Sequence, residues 1–170
     1  NLDAIMVETF AYLAKRLDLR LRCEEYRSGA TAVCAHIHDR KKLCIGWCGD
    51  ASAAIMRSSS AEILSKSHIP DDPAEAKRVT DEGGFLLYVN GELRVNGVLN
   101  ITRSLGDISA GEAISSIPST VCLDLDGGEY LLILGSDGLF DVFDAEALFT
   151  HVKDFVTTYS AKEYMELSRW

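Results

Sequence analysis

The segment EYLLILGSDGLFDVF, residues 129–143, joins an apolar run to a short turn that carries two aspartates. Tyr130 to Leu134 is apolar throughout and is bounded by glycines, which predicts a strand buried on both faces. Asp137 follows directly after this strand. A helical turn over Leu139 to Phe143 would place Asp141 beside Asp137, because residues four apart are neighbours on a helix.

Two carboxylates this close repel each other, and a hard divalent cation with oxygen ligands would neutralise them. Asp137 and Asp141 are therefore predicted metal ligands. Asp50 adds a third aspartate at a strand end, because it follows the predicted strand Leu43 to Cys48. A plain alternative stays open at this point, since Ser136-Asp137-Gly138 and Gly49-Asp50 also fit ordinary turns.

Length and composition are those of one ordinary globular domain. The 170 residues are 47% hydrophobic and 25% charged, so we expect a single domain over residues 1–170 with one sizeable core. The net charge of -9 argues against a nucleic-acid partner and is compatible with an acidic metal site. No apolar run has the length of a membrane span and the first residues do not resemble a signal peptide, so we expect no membrane partner and a cytoplasmic or nuclear location.

The five cysteines are an odd number for a disulfide framework, which predicts reduced, structural thiols. Cys44 and Cys48 are spaced as one half of a zinc site could be. No second cysteine or histidine pair follows at a suitable spacing, so zinc is not predicted.

Periodicity along the chain predicts an α+β protein rather than alternating parallel units. The first helix is expected to bury a stripe of five apolar residues, and residues 108–119 are expected to form a surface loop or flap. Asn90-Gly91 is a strong hairpin signal. The predicted helices are 3–19, 74–82, 145–157 and one from 161; the predicted strands are 30–37, 43–48, 53–57, 62–65, 85–89, 92–95, 121–125 and 130–134; the stripe is Leu2, Met6, Phe10, Leu13 and Leu17.

Five motifs stand in an order that resembles one known family. Together they are similar to the metal-dependent protein serine/threonine phosphatases, the protein phosphatase 2C family, over about residues 28–152. The motifs are Ser28 to Val33, Gly49-Asp50, His68 to Pro73 with Gly83-Gly84-Phe85, Arg94 to Leu99 with Thr102 to Asp107, and Ser136 to Val142.

The resemblance implies a four-layer α-β-β-α sandwich of two antiparallel sheets flanked by helices, incomplete in this chain. It implies two catalytic Mn²⁺ or Mg²⁺ ions and a third, weaker one. Asp137 is implied to be a catalytic residue and ligand of the pair, buried at the metal cleft, and Asp50 and Asp141 are implied to hold the weaker ion. The implied activity is hydrolysis of phosphoserine and phosphothreonine in a phosphorylated protein substrate by a metal-bridged hydroxide. A regulatory protein partner is also expected.

Some family features are missing. The Asp-Gly-His-Gly segment and the basic phosphate-binding residue do not occur in residues 1–27, and the final Asp-Asn motif does not occur by Trp170. The resemblance implies that these ligands come from flanking segments or a second polypeptide, and that residues 1–170 alone are inactive, poorly soluble and weak in divalent binding.

A non-catalytic member of the family, acting as a regulatory binding scaffold, is the alternative function. Ala51-Ser52 stands where the family usually has Ser-Arg, and Ile69 follows His68 where the family has Lys. Retention of Asp50, Asp137 and Asp141 favours the enzyme, because an unpaired carboxylate cluster is unfavourable unless it binds cations.

Overall fold

The structure, a computed structural model, describes residues 2–24 and 27–158. Within these ranges the chain forms four helices and ten strands, with one 3₁₀ turn at Ile108–Ala110. The helices are α1 (Leu2–Glu24), α2 (Pro73–Asp81), α3 (Asp137–Phe140) and α4 (Ala145–Thr158); the strands are β1 (Gly29–Ala30), β2 (Ala32–His38), β3 (Lys42–Cys48), β4 (Ser52–Arg57), β5 (Ala61–Ile63), β6 (Leu86–Val89), β7 (Glu92–Val95), β8 (Leu105–Gly106), β9 (Ser119–Asp124) and β10 (Glu129–Gly135).

Two three-stranded antiparallel sheets form the centre of the fold, in the orders β2-β3-β9 and β10-β4-β5. Two smaller pairs, β1-β8 and β6-β7, complete the described strands. The β6-β7 hairpin turns at Asn90 and Gly91, both at positive φ, as its sequence predicts. The α+β class is confirmed.

The two sheets pack face to face, and each has a helix on its outer side. Leu43, Ile45 and Trp47 alternate along β3 and form a buried cluster with Ala53 and Ile55 of β4. On the opposite face of β3, the intervening cysteines pack under Met6 and Phe10 of α1. On the far side, α4 contacts β5. The order is helix, sheet, sheet, helix, which is the expected four-layer sandwich.

The buried side of α1 differs from the predicted stripe. Met6 and Phe10 are buried as expected, but Leu13 and Leu17 are 42% and 38% exposed. The helix buries Ala14 and Leu21 instead. Met6 and Phe10 lie directly over Gly46 of β3, where even a Cβ atom would be 2.3 Å from Met6 Cγ. The buried stripe of α1 therefore runs through the small residue Ala14. Leu13 and Leu17 lie to one side of this stripe.

β10 is less buried than its apolar sequence predicts. Leu131, Leu132 and Ile133 are half-buried, and Leu134 is 43% exposed. The prediction of a strand buried on both faces is therefore wrong. The reason is position: within the described residues β10 pairs with β4 alone and forms the edge of its sheet.

The cysteines also depart from expectation. Cys44 of β3 and Cys122 of β9 are direct partners in the strand register and are joined as a disulfide, with Cα atoms 4.2 Å apart. The expectation of reduced thiols is therefore wrong for this pair. The other three cysteines, Cys23, Cys34 and Cys48, are free thiols. No local sequence pattern indicates this pair, because 78 residues separate its members.

Other predicted segments are confirmed with small shifts. Asp72 caps α2 by accepting a hydrogen bond from the Ala74 N–H at 3.0 Å, and Asp144 likewise accepts from Ala147 at 2.8 Å ahead of α4. Residues 108–119 contain a 3₁₀ turn and the buried residues Ala110 and Ala113. The helix predicted from residue 161 lies outside the described residues. None of the described helices has the length and apolarity needed to cross a membrane.

Candidate metal centre

The three predicted metal ligands lie at one edge of a single sheet. β4 and β10 are antiparallel, and Ser52 at the start of β4 pairs with Gly135 at the end of β10. Asp50 lies two residues before Ser52, and Asp137 lies two residues after Gly135. The register therefore brings the Gly49-Asp50 turn and the Asp137 turn to the same place, although the chain between them is long.

The carboxylates interact electrostatically. Burial raises the pKa of Asp50, and the negative charges of Asp137 and Asp141 raise it further, against lowering hydrogen bonds from its own backbone and from Thr31. Asp50 is half-buried. A nearby cation would offset the repulsion among the three carboxylates and lower their pKa values, because an opposite charge favours the charged form.

Asp137 and Asp141 lie on consecutive turns of backbone, as the four-residue spacing predicts. Asp137 begins α3, and the Asp141 N–H donates to the Asp137 carbonyl at 2.8 Å. The Asp137 carboxylate accepts a hydrogen bond from the Gly138 N–H at 2.8 Å, as a turn residue does. Both aspartate side chains are exposed, so the expectation that Asp137 is buried is wrong. α3 is only four residues long, so it is too short to bury either side chain against itself.

The donor set suits Mn²⁺ or Mg²⁺, since both are hard cations that take carboxylate oxygens. Within the described residues, the one group of three ligand atoms mutually within 4.8 Å is Asp3, Cys44 and Cys122. The oxygens of Asp50, Asp137 and Asp141 are thus more widely spread than those of a closed cage. Such spacing fits an ion that keeps part of its water shell, as Mg²⁺ commonly does.

His68 fixes the turn that carries Asp50. Its backbone N–H donates to the Gly49 carbonyl at 2.9 Å, and the Gly49 N–H donates to His68 Nδ1 at 3.1 Å. Because Nδ1 accepts, the ring proton is on Nε2, which lies 2.8 Å from the Ser119 hydroxyl. Burial lowers the pKa of His68 to about 4, and the charge of Arg103 acts in the same direction. His68 is therefore neutral near pH 7.

Gly49 is required where it lies. Its φ is +95°, and a Cβ atom would be 2.3 Å from the Thr31 methyl group and 3.0 Å from the Arg103 carbonyl oxygen. Both the left-handed backbone and the close approach exclude a side chain. The turn that positions Asp50 is consequently determined by glycine and histidine together.

A buried ion-pair network lies behind this turn. Glu75 of α2 is 5% exposed and accepts hydrogen bonds from the Arg103 guanidinium and from the Thr102 hydroxyl at 2.6 Å. Arg78 also pairs with Glu75 at 3.2 Å. Burial alone would raise the pKa of Glu75, but the hydrogen bonds from Arg103 and Thr102 and the charges of both arginines lower it to about 2.

The network connects α2 to the Asp50 turn and to the loop before β9. The Thr102 N–H donates to the His68 carbonyl at 2.9 Å, which continues the chain of hydrogen bonds to Gly49. Arg103 donates to the Ile117 carbonyl at 2.9 Å, and Arg78 donates to the Ala113 carbonyl at 3.1 Å. The predicted surface loop is thus held at two points by partly buried arginines.

Sequence reasoning did not identify Glu75, Arg78 or a role for His68. Glu75 and Arg78 are three residues apart in α2, which is a local signal for a helical ion pair. The pairing of Glu75 with Arg103 spans 28 residues and leaves no local pattern. His68 and Arg103 occur within the motifs that resemble the phosphatase family, but their partners are defined only by the fold.

Comparison with known sequences finds one family over nearly the whole chain. The sequence model of protein phosphatase 2C matches residues 1–169. Protein phosphatase fem-2 of Caenorhabditis elegans is 37% identical over 171 residues, which is 100% of this chain and 38% of that protein. Probable protein phosphatase 2C 78 of Arabidopsis thaliana is 37% identical over 132 residues, 75% of this chain and 32% of that protein. The chain thus spans about a third of the length of these relatives.

Comparison with solved structures gives the same fold. A structure of a C. elegans sex-determining protein superposes with a TM-score of 0.90 and 38% identity, covering 96% of this chain and 40% of that one. The serine-threonine phosphatase 2C of Toxoplasma gondii superposes with a TM-score of 0.76, covering 85% of this chain and 52% of that one. Its identity is 21%, so this second likeness concerns the fold alone.

Proposed function

This chain belongs to the protein phosphatase 2C family, and on that premise we propose that it forms part of a metal-dependent protein serine/threonine phosphatase. Asp50, Asp137 and Asp141 are the proposed metal ligands. The observation that carries the proposal is the β4-β10 register, which brings these three aspartates to one sheet edge. The proposed substrate is a phosphorylated protein, and remaining ligands are proposed to come from flanking sequence or a second polypeptide.

Divalent Mn²⁺ or Mg²⁺ would supply charge neutralisation and an activated water for ester hydrolysis. The residues of this chain would position the metal ion. Asp137 and Asp141 present carboxylates on a short turn, and Asp50 presents one from a turn fixed by His68. None of the described cysteines is needed as a nucleophile in this scheme; burial raises the pKa of Cys48 to about 12, which keeps its thiol protonated.

The test is replacement of Asp137 by Asn in the full protein. Manganese-dependent hydrolysis of a phosphopeptide should fall by at least about 100-fold, because a neutral amide cannot balance a dication. The thermal unfolding midpoint should stay within a few degrees, since Asp137 is exposed. Asp124→Asn is the matched control, because the Asp124 side chain is 83% exposed and lies away from the site. Asp124 is in β9, opposite Lys42 at the start of β3, whereas Asp50 follows the end of β3. Unchanged turnover in Asp137→Asn would refute the assignment.

Asp141→Asn tests the weaker site separately. If Asp141 and Asp50 hold an additional ion, the manganese concentration for half-maximal activity should rise several-fold while the fold is kept. A fall in thermal stability with unchanged metal dependence would mean that Asp141 serves the turn rather than a metal.

A non-catalytic scaffold is the second candidate, and the exposure of Asp137 and Asp141 favours it. Under that alternative, the wild-type full protein shows no manganese-dependent turnover, and Asp137→Asn leaves binding of a protein partner unchanged. The same assay therefore separates the two functions.

A further inference from the structure

The segment Ser28 to Val33 runs beside the turn that carries Asp50, although the proposed metal ligands all lie outside it. Within this segment, Thr31 is the one residue between β1 and β2. The residue before Thr31 pairs with β8, and the residue after it pairs with β3. The Thr31 backbone is therefore fixed from both sides by strand pairs that belong to two different sheets.

The Thr31 side chain lies over the Gly49-Asp50 turn. In the register of β2 and β3, Thr31 comes one residue before the first pair and Gly49 one residue after it, so the two lie opposite each other. A Cβ atom on Gly49 would be 2.3 Å from Thr31 Cγ2 and 2.7 Å from Thr31 Cβ. The Thr31 methyl group therefore lies against the Gly49 backbone, in space that only glycine leaves open.

The hydroxyl branch of the same side chain contacts the carboxylate. Burial raises the pKa of Asp50, and a hydrogen bond donated by Thr31 acts in the opposite direction because it favours the charged form. The carboxylate also accepts from its own backbone N–H, which cannot fix it relative to the rest of the fold. Thr31 ties it to a neighbouring strand, through a β-branched side chain that has few alternative rotamers.

We propose that Thr31 is a positioning residue of the metal centre, whose hydroxyl orients the Asp50 carboxylate toward Asp137 and Asp141. This inference rests on the proposed function, because it takes Asp50 to be a metal ligand. A hydrogen-bond donor behind a metal-binding carboxylate holds it in one orientation, and removing such a donor typically weakens metal binding by roughly 10- to 100-fold. The segment Ser28 to Val33 thus contributes to the site without supplying a ligand.

The experiment measures Mn²⁺ binding to the full protein by isothermal titration at neutral pH, without substrate. Thr31→Val keeps the shape of the side chain and removes the hydroxyl, so the dissociation constant should rise about tenfold. Thr31→Ser keeps the hydroxyl and removes the methyl group, so its dissociation constant should stay within about threefold of the wild-type value.

A control and a double variant separate positioning from folding. Thr120→Val is the matched control, because Thr120 is half-buried in β9 opposite Gly46, in the middle of β3, and it should bind Mn²⁺ as wild type does. In Asp50→Asn protein, Thr31→Val should weaken binding no further, because no metal-binding carboxylate is left to orient. Valine fits the space of threonine, so the metal-free unfolding midpoint of Thr31→Val should stay within a few degrees of wild type.

The role of Thr31 and the metal centre itself can fail separately. Equal Mn²⁺ binding by wild type and Thr31→Val, with weaker binding by Asp50→Asn, would overturn the role of Thr31 and leave Asp50 as a ligand. Equal weakening by Thr31→Val and Thr31→Ser would also overturn it, because the hydroxyl would then not be the group responsible. Wild-type binding that Asp50→Asn leaves unchanged would overturn the proposed metal centre, and the role of Thr31 with it.

Discussion

The two sides of the candidate metal centre are held in different ways. Asp50 extends from a turn whose supports are nearly inaccessible: His68 is 4% exposed and Glu75 5%. Asp137 and Asp141 extend from an exposed four-residue helix at the end of an edge strand. One side is therefore supported by buried contacts, and the side chains of the other side are exposed to solvent.

This difference predicts which mutations at the site change folding and which change binding. On the Asp50 side, Glu75 pairs with Arg78 and Arg103, and the neutral His68 ring bonds to Gly49 and Ser119. Removing any of these side chains leaves a polar group without its partner. On the Asp137 side the aspartate side chains are already exposed, so replacing them leaves no buried polar group without a partner. We expect mutations of the first kind to change folding and mutations of the second kind to change binding.

The largest effect should come from Glu75→Ala. It leaves the Arg103 and Arg78 side chains, 16% and 20% exposed, without their shared carboxylate, which should lower the free energy of unfolding by about 3 kcal/mol or more. Urea denaturation measures this. Glu82→Ala removes the exposed partner of the same Arg78 and should change stability by no more than about 0.5 kcal/mol. Equal effects of the two variants would show that the network is not supporting the fold.

Gly49→Ala should be the next largest. Strain at positive φ and the contact with Thr31 together should destabilise the protein by about 2–3 kcal/mol. Gly83→Ala is the matched control, because Gly83 has φ of +83° with nothing within 4 Å of a Cβ, so it reports the backbone strain alone at about 1 kcal/mol. If the two variants are equally stable, the close packing around the Asp50 turn is not a constraint.

The free energy of unfolding should also depend on pH because of groups on the Asp50 side, and this effect is smaller. The pKa of His68 is lowered in the folded state to about 4, so the unfolded state binds more protons between pH 6.5 and 4. His68 should therefore lower stability as pH falls through that window, by about 2 kcal/mol. Glu75, with a pKa lowered to about 2, adds a further loss as pH falls below 4.5.

Unfolding curves from pH 7.5 to 4.5 test the histidine contribution. His68→Asn keeps an acceptor near the Nδ1 position but does not titrate, so its stability should vary less with pH than that of wild type. His151→Asn, at an exposed position in α4, should keep the wild-type slope. A wild-type slope in His68→Asn would assign the acid sensitivity to other groups.

Much of the fold was predictable from local pattern, and the exceptions have physical causes. Hydrophobic alternation and Asn90-Gly91 are local, and the strands and hairpin they predict are present. The burial of β10 was overestimated because apolar content does not tell whether a strand is central or at an edge. The disulfide and the Glu75–Arg103 pair join residues 78 and 28 positions apart, which only the fold brings together.

The candidate site was predictable in part for the same reason. Asp137 and Asp141 lie four residues apart, so their proximity follows from helix geometry. Placing Asp50 beside them requires the pairing of β4 with β10, which the strand register shows. The family resemblance implied only that Asp50 and Asp141 hold the same ion. The exposure of Asp137 and Asp141 could not be read from the sequence, because it depends on the elements that surround a short turn.

The most direct test of the account is a manganese titration of the full protein, because the central claim is that Asp50, Asp137 and Asp141 are metal ligands gathered at one sheet edge, with Asp50 and Asp141 on the weaker ion. Isothermal titration should give a dissociation constant on the order of 1 mM or tighter for wild type. Asp50→Asn and Asp141→Asn should each weaken it by about tenfold or more, whereas Asp124→Asn should leave it unchanged. Manganese binding that is equal in wild type, Asp50→Asn and Asp141→Asn would contradict the account.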